Sequence, residues 1–203
     1  HLVARPIGLQ ARQRVLLEGR LRNALKTDKL QCYYQPQIAI QSGKLIGAEV
    51  LLRWHDAELG FIAPSVFIPL AESCGLIHEL GLWVLQRSCR QFSSWLAQGI
   101  TPFSLAVNVS AHQFSKDQLF AELKQVLADN AMPAQYLELE VTESAVMDDP
   151  EAALEQLHRL RELGLRLAID DFGTGYSSLL RLKRLPVQKL KIDQGFVAGL
   201  PFD

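Results

Sequence analysis

Apolar positions recur with two different periods along this chain, and the changes between them mark its elements. Residues 1–29 are rich in Arg and Leu. Arg12, Arg14, Arg20 and Arg22 alternate with Val15, Leu16, Leu17, Leu21 and Leu25 at roughly helical spacing, which predicts an amphipathic leading helix with a solvated basic face. The period then drops to two. Gln31–Ile40 and Lys44–Trp54 are β-prone and flank the turn signal Gln41-Ser42-Gly43, so they predict a hairpin. Helical and strand patterns alternate from there on. Glu79–Gln98 carries Leu82, Leu85, Cys89, Phe92 and Leu96 as one apolar stripe. Phe103–Ser110 predicts a strand. Ser115 predicts a cap on a helix running to about Asn130, with Leu119, Leu123, Val126 and Leu127 inward. Tyr136–Thr142 predicts a strand. Asp149-Pro150 places an N-cap before an N1 proline, on a helix ending at Gly164. Leu165–Asp171 predicts a strand, Ser177–Lys183 a short helix stopped before Pro186, and Val187–Asp193 a last strand.

Strands separated by helices imply parallel βα units. A closed eight-stranded βα barrel typically takes about 250 residues. This chain has 203 residues, and its pattern predicts six strands. The expectation is therefore either an open six-stranded α/β sheet or a barrel with its last two units missing. Residue 1 is His, with no signal-peptide pattern after it, so the chain reads as a piece cut from something longer.

Composition removes several function classes. Lys+Arg is 21 and Asp+Glu is 22, giving a net charge of −1. Binding to a nucleic-acid polymer relies on excess positive charge and is not expected. No apolar run reaches the roughly 18 residues of a membrane span. Cys32, Cys74 and Cys89 lack CxxC spacing and read as reduced thiols in a cytoplasmic setting. His55, His78, His112 and His158 show no zinc-type spacing and are expected on the surface. Gly173-Thr174-Gly175 lacks the further residues of a phosphate loop and reads as a turn after a strand.

The candidate chemistry lies on the strands. Side chains alternate across a strand. Leu137, Leu139 and Val141 oppose Glu138, Glu140 and Thr142. Leu105, Val107 and Val109 oppose Ala106, Asn108 and Ser110. Leu190 and Ile192 oppose Lys189, Lys191 and Asp193. Glu49 shares a face with Leu51 and Arg53, and another strand ends in Asp170-Asp171. One face is aliphatic and suited to covering helices. The other turns polar towards the C-terminal end of the strand, where barrel active sites are assembled. Glu49, Asn108, Glu140, Asp170 and Asp171 would converge there. Gathered carboxylates repel unless protonated or joined by a cation. Hard oxygen donors without Cys or His suit Mg²⁺ or Mn²⁺ better than Zn²⁺. Two neighbouring ions held this way can activate water for phosphoester hydrolysis. Lys191 and Arg53 would offer positive charge to phosphate oxygens.

The same residues fall in motifs. YYQPQI (33–38), GAEVLLRW (47–54), NVS (108–110), ELEVTES (138–144), IDDFGTGYSS (169–178) and LKID (190–193) strongly resemble the EAL domain, a family of bacterial cyclic-di-GMP phosphodiesterases and their catalytically silent relatives. The resemblance divides the chain into a connector over 1–29 and the domain proper over 30–203. It implies an α/β fold, a TIM-like (β/α)₈ barrel with an antiparallel first strand, of which about six strands are covered here. It implies metal-dependent hydrolysis of cyclic-di-GMP to linear pGpG, with two Mg²⁺ or Mn²⁺ ions per site. By motif match, Glu49, Asn108, Glu140, Asp170 and Asp171 are the metal ligands. Lys191 helps position the catalytic water and joins Glu49 and Asp171 in the catalytic set. Arg53, Gln35 and Asp193 fall on the substrate side. Glu143 steadies the loop after Asp171, and that loop, residues 172–178, is associated with dimerisation. A homodimer and an upstream GGDEF or sensory domain are expected partners. The expected location is cytoplasmic, with membrane anchoring reserved for a longer parent chain. The alternative reading is an inactive cyclic-di-GMP receptor that signals to a partner. Two departures stand out. Val50 replaces the Ala of the signature triplet but points away from the Glu49 face. The family's later EGVE-type and QGY/F-type strands are absent, which fits a fragment.

Overall fold

The two periods of the sequence become one sheet covered by helices on its outer face. The computed structural model describes residues 7–27, 29–173, 183–193, 195 and 198. The elements are α1 (Ile7–Ala24), β1 (Leu30–Ile38), β2 (Leu45–Asp56), β3 (Gly60–Ile62), α2 (Pro64–Ser73), α3 (Ile77–Ala97), β4 (Ser104–Val109), α4 (Ala111–Phe114), α5 (Gln118–Asp129), β5 (Leu137–Thr142), α6 (Glu143–Asp148), α7 (Pro150–Glu162), β6 (Arg166–Phe172) and β7 (Lys189–Ile192). The strand order is β1-β2-β4-β5-β6-β7, with the short β3 paired to β2 off this path. β1 and β2 form the predicted antiparallel hairpin, and every later pair on the path is parallel. The hairpin turn closes through the Ala39 N–H on Lys44 O at 2.9 Å and the Gly43 N–H on Ala39 O at 2.8 Å. Gly43 sits at φ 65°, a conformation glycine adopts without steric cost.

This order decides between the two folds left open by the sequence. Neighbouring strands follow chain order without reversal, so no topological switch point of a doubly wound sheet is present among the described strands. A flat sheet would also hold β7 about 24 Å from β1, five strand spacings away. Instead, Lys189 Nζ on β7 donates to Gln37 Oε1 on β1 at 3.0 Å, and Lys191 Nζ reaches Glu49 Oε2 on β2 at 3.2 Å. The sheet is rolled until its last described strand meets its first two across the interior. It is the wall of a parallel α/β barrel.

The aliphatic strand faces point outward. Val50, Leu105, Val107, Val109, Leu137, Leu139, Val141, Leu167 and Ile169 join Leu85, Cys89, Phe92, Leu123, Leu157 and Leu160 of the helices in one buried cluster. A second cluster lies at the hairpin end, where Leu21, Ala24 and Leu25 meet Trp54, Phe67, Ala71 and Leu80. The leading helix therefore packs through its C-terminal half. Val15 and Leu16 remain 70% and 53% exposed. Arg20 fastens the packed half: its Nη1 donates to Asp56 Oδ1 at 2.5 Å, and its Nη2 meets Glu58.

Three sequence expectations need correction or completion. Ser115 does not cap a long helix. Ser110 does the capping, its Oγ accepting the Gln113 N–H while Gln113 Oε1 accepts the Ser110 N–H. This reciprocal pair starts α4 immediately after β4 and leaves α5 to begin separately at Gln118. The elements β3, α2, α4 and α6 were not predicted, because each is short or, in α2, interrupted by Pro69. The predicted helix over 177–183 lies almost wholly outside the described residues. Asp149, by contrast, caps α7 as expected through the Ala152 N–H at 3.2 Å, and Gly164 follows that helix at φ 95°. Cys32, Cys74 and Cys89 are all free.

Candidate active site

β4 and β5 each carry a polar residue near their C-terminal end and turn at once into a short capped helix. Ser110 caps α4 two residues after Asn108, and Thr142 Oγ1 caps α6 through the Ala145 N–H at 3.3 Å, two residues after Glu140. These early caps hold the strand ends still. Asn108 and Glu140 are direct register partners, Glu49 pairs with Ala106 two residues before Asn108, and Gln35 pairs with Glu49.

Lys191 stands at the centre. Its Nζ donates to Glu140 Oε2 at 2.6 Å, Asp170 Oδ2 at 3.0 Å and Glu49 Oε2 at 3.2 Å. Asn108 Nδ2 donates to the other Glu49 oxygen at 3.0 Å. One oxygen from each of Glu49, Glu140 and Asp170 can be chosen so that all lie within 4.8 Å of one another, the spacing of a metal-ligand group. One ammonium faces three carboxylates there and leaves two negative charges, the amount a divalent cation balances. Glu140 is 1% exposed, and its Oε1 is buried with no hydrogen-bond partner among the described residues. A buried, unpaired carboxylate oxygen is costly unless something binds it. The all-oxygen donors fit Mg²⁺ or Mn²⁺.

The electrostatics follow from this crowding. Burial pushes Glu140 up to about 7; the Lys191 hydrogen bond opposes the rise, and Glu49 and Asp170 add to it. Burial works against the Lys191 ammonium, yet its bonds to Glu140 and Asp170 outweigh that, and its pKa rises. It stays charged at neutral pH.

Asp171 is placed differently. The β6–β7 register is irregular between Ile169 and Phe172, and Asp171 takes φ 53°. Such irregularities re-aim side chains beside active sites. The Asp171 N–H donates to Asp170 Oδ1 at 2.9 Å, while the Asp171 side chain is exposed. Its pKa is raised, first by desolvation and then by Asp170 and Asp193. Glu143, 1% exposed at the start of α6, accepts the Gly173 N–H through Oε2 at 2.7 Å and so grips the segment that follows Asp171. Residues 174–178 of that loop lie outside the described residues.

The remaining predicted residues lie on β1, on β2 and just after β7. Arg53 lies four residues further along β2, its guanidinium 5.6 Å from the Tyr33 ring centroid and its Nη1 on Leu52 O at 3.0 Å. Gln35 is exposed on β1 opposite Glu49. Asp193 follows β7 and accepts the Gly195 N–H at 2.8 Å. A second polar layer was not assigned from sequence. Glu138 is 4% exposed, and Lys189 Nζ donates to it at 2.7 Å and to Gln37 at 3.0 Å. Its signal was the repeat at two-residue spacing of Glu138 with Glu140 and of Lys189 with Lys191. The histidines take no part: His78, for one, pairs with Glu122 at 2.7 Å.

Comparison with known proteins gives this geometry a family. The EAL domain family matches residues 18–203. The chain is 45% identical over 193 residues to the bifunctional diguanylate cyclase/cyclic di-GMP phosphodiesterase MucR of Pseudomonas aeruginosa, a match covering 95% of this chain and 28% of that protein. It is 41% identical over 198 residues to the cyclic di-GMP phosphodiesterase NbdA of the same organism, covering 98% and 25%. The chain thus spans about a quarter of the length of these curated relatives. The solved structure of the PaMucR phosphodiesterase in complex with c-di-GMP superposes with a TM-score of 0.88 at 46% identity, covering 93% of this chain and 76% of that one. With its rolled parallel sheet, its antiparallel first strand and this match over most of its length, the chain belongs to the EAL domain family.

Proposed function

We propose that this domain hydrolyses one phosphodiester of cyclic-di-GMP, giving linear pGpG, with Mg²⁺ or Mn²⁺ as cofactor. The observation that carries the reading is the convergence of Glu49, Glu140 and Asp170 around Lys191, with one Glu140 oxygen buried and without a hydrogen-bond partner among the described residues. Glu49, Asn108, Glu140, Asp170 and Asp171 would hold the metal, as two ions. A divalent cation in this place supplies Lewis acidity to the phosphoryl group and balances its charge.

The protein's own groups do the rest. Lys191 presents an ammonium within hydrogen-bond reach of three carboxylates and orients the attacking water. Asn108 fixes one oxygen of Glu49 and so directs the other inward. Arg53 offers a forked donor to a substrate phosphate at the rim. Gln35 and Asp193 flank the substrate from β1 and from the end of β7. Glu143 holds the loop after Asp171. The domain would work in the cytoplasm, as a homodimer, downstream of a GGDEF or sensory domain.

The test is to incubate cyclic-di-GMP with the protein, extended through its natural C-terminus, in Mn²⁺ and to follow pGpG by chromatography. Product that disappears in Glu49→Ala supports the reading. Binding without product would replace it with a receptor, and pGpG formed equally well by Glu49→Ala would overturn the ligand assignment.

A further inference from the structure

The interior holds two charged layers in matching register. In the upper layer Lys191 meets Glu140. In the lower one Lys189, two residues earlier on β7, meets Glu138, two residues earlier on β5. Successive same-face positions on a strand are about 6.6 Å apart, within the sweep of a lysine side chain. Each ammonium therefore has the other layer's carboxylate within reach. Glu138 is almost fully buried, and Lys189 Nζ is its ion-pair partner, at 2.7 Å.

We propose that Lys189 is a positioning residue: by neutralising Glu138 it keeps the Lys191 ammonium in the upper layer, among Glu49, Glu140 and Asp170. The inference rests on the hydrolase reading only for its kinetic consequence. A buried carboxylate that loses its counter-ion must be protonated or capture another cation. Lys191 is the next cation on the same face of β7. Captured by Glu138, it would leave the water it orients.

The lower layer is built to hold Lys189 from both sides. Gln37 Oε1 accepts from Lys189 Nζ at 3.0 Å, opposite Glu138. The register partner of Gln37 is Gly47, whose missing side chain leaves room for the amide. A Cβ at position 47 would stand 2.7 Å from Gln37 Oε1 and 3.0 Å from Ser104 O. The glycine thus clears the path along which the amide reaches the lysine.

The arrangement is asymmetric, and the asymmetry is testable in the full-length protein. Lys189→Met leaves Glu138 charged and unpaired. It is expected to lower kcat for cyclic-di-GMP by about tenfold or more, as displacements of a catalytic group do, with KM within about twofold. Glu138→Gln leaves Lys189, which is 34% exposed, to hydrate instead. That variant, and the double variant Lys189→Met with Glu138→Gln, should stay within about threefold of wild type. The second readout needs neither metal nor substrate. The lysine ammonium resonance of Lys191, assigned by its loss in Lys191→Met, should shift in Lys189→Met and return in the double variant. Lys189→Gln removes the charge while keeping a polar hydrogen-bonding end, and serves if Met is not tolerated. An unmoved Lys191 resonance in Lys189→Met overturns the inference, because Lys191 has then not been drawn towards Glu138. So does a double variant that stays as impaired as the single one, because the layer is then a general structural tie. A wild type without turnover counts against the hydrolase reading alone, and the resonance then decides this one.

Discussion

Glu143 and Gly173 are joined across thirty residues of chain: the Gly173 N–H donates to Glu143 Oε2 at 2.7 Å. This bond couples the start of α6 to the segment leaving the Asp170-Asp171 pair. Glu143→Ala is expected to leave a backbone donor unpaired, at a cost of about 1–3 kcal/mol, and to lower metal-dependent turnover together with thermal stability. Glu143→Gln keeps an acceptor and should fall between the two. Melting curves and pGpG production on the same samples check this; an alanine variant with unchanged turnover would remove Glu143 from the coupling.

The crowding of carboxylates predicts a pH dependence of the metal-free protein. Burial raises the Glu140 carboxyl from the ordinary carboxylate range to about 7. A carboxyl whose folded pKa exceeds its unfolded one binds its proton more tightly when folded, so its contribution to stability falls as pH rises between those two values. Metal-free protein should therefore lose stability through Glu140 across that window, and Glu140→Gln should flatten the slope. Mn²⁺ should reverse the trend by favouring the carboxylate, with proton release on binding below pH about 7. Melting temperatures across pH, with and without Mn²⁺, measure both effects.

Asp56 gives the opposite sign. Its Oδ1 accepts the Glu58 N–H at 2.9 Å, the Leu59 N–H at 3.1 Å and Arg20 Nη1 at 2.5 Å. The Glu58 and Leu59 amides, with Arg20 and Lys29, hold its carboxyl below the ordinary range against the cost of desolvation. Its contribution is present above the unfolded pKa and is lost as pH falls through the depressed folded one. Asp56→Ala should melt earlier than wild type at neutral pH, and the gap should close in acid. A gap that persists unchanged in acid would show that the side chain acts by packing alone.

Phe92 tests the barrel's outer core. It is fully buried, with ring centroids 5.4 Å from Phe103 and 5.7 Å from Tyr136. Phe92→Ala should cost about 3–5 kcal/mol, read from urea unfolding, without altering metal affinity in the fraction that stays folded.

Much of this was legible in the chain itself. Strands such as Leu137–Thr142 announce both faces, because a period of two leaves no freedom about which side chains go together. The helix over Pro150–Glu162 carries its own start signal in Asp149-Pro150. Short elements were not legible. The four residues of α4 show no periodicity, and the Ser110–Gln113 capping box was hidden behind a more conspicuous Ser115. Glu49, Asn108, Glu140 and Asp170 stood out by their place near strand ends, and the structure brings these four together. Arg53 sets its guanidinium over the Tyr33 ring, a cross-strand contact that no local pattern announces.

The sequence by itself determined which side chains share a face and that the faces of several strands turn polar together, since alternation is a local property of extended backbone. It also carried the family's ordered motifs. Only the tertiary structure decided that the sheet rolls. Strand curvature is a collective property, and it alone brings Lys189 to Gln37 and Lys191 to Glu49 from opposite ends of the sheet. The same closure sets one ammonium against three carboxylates and leaves one buried oxygen of Glu140 without a hydrogen-bond partner among the described residues. That imbalance of charge arises between strands, and no single segment of the chain contains it.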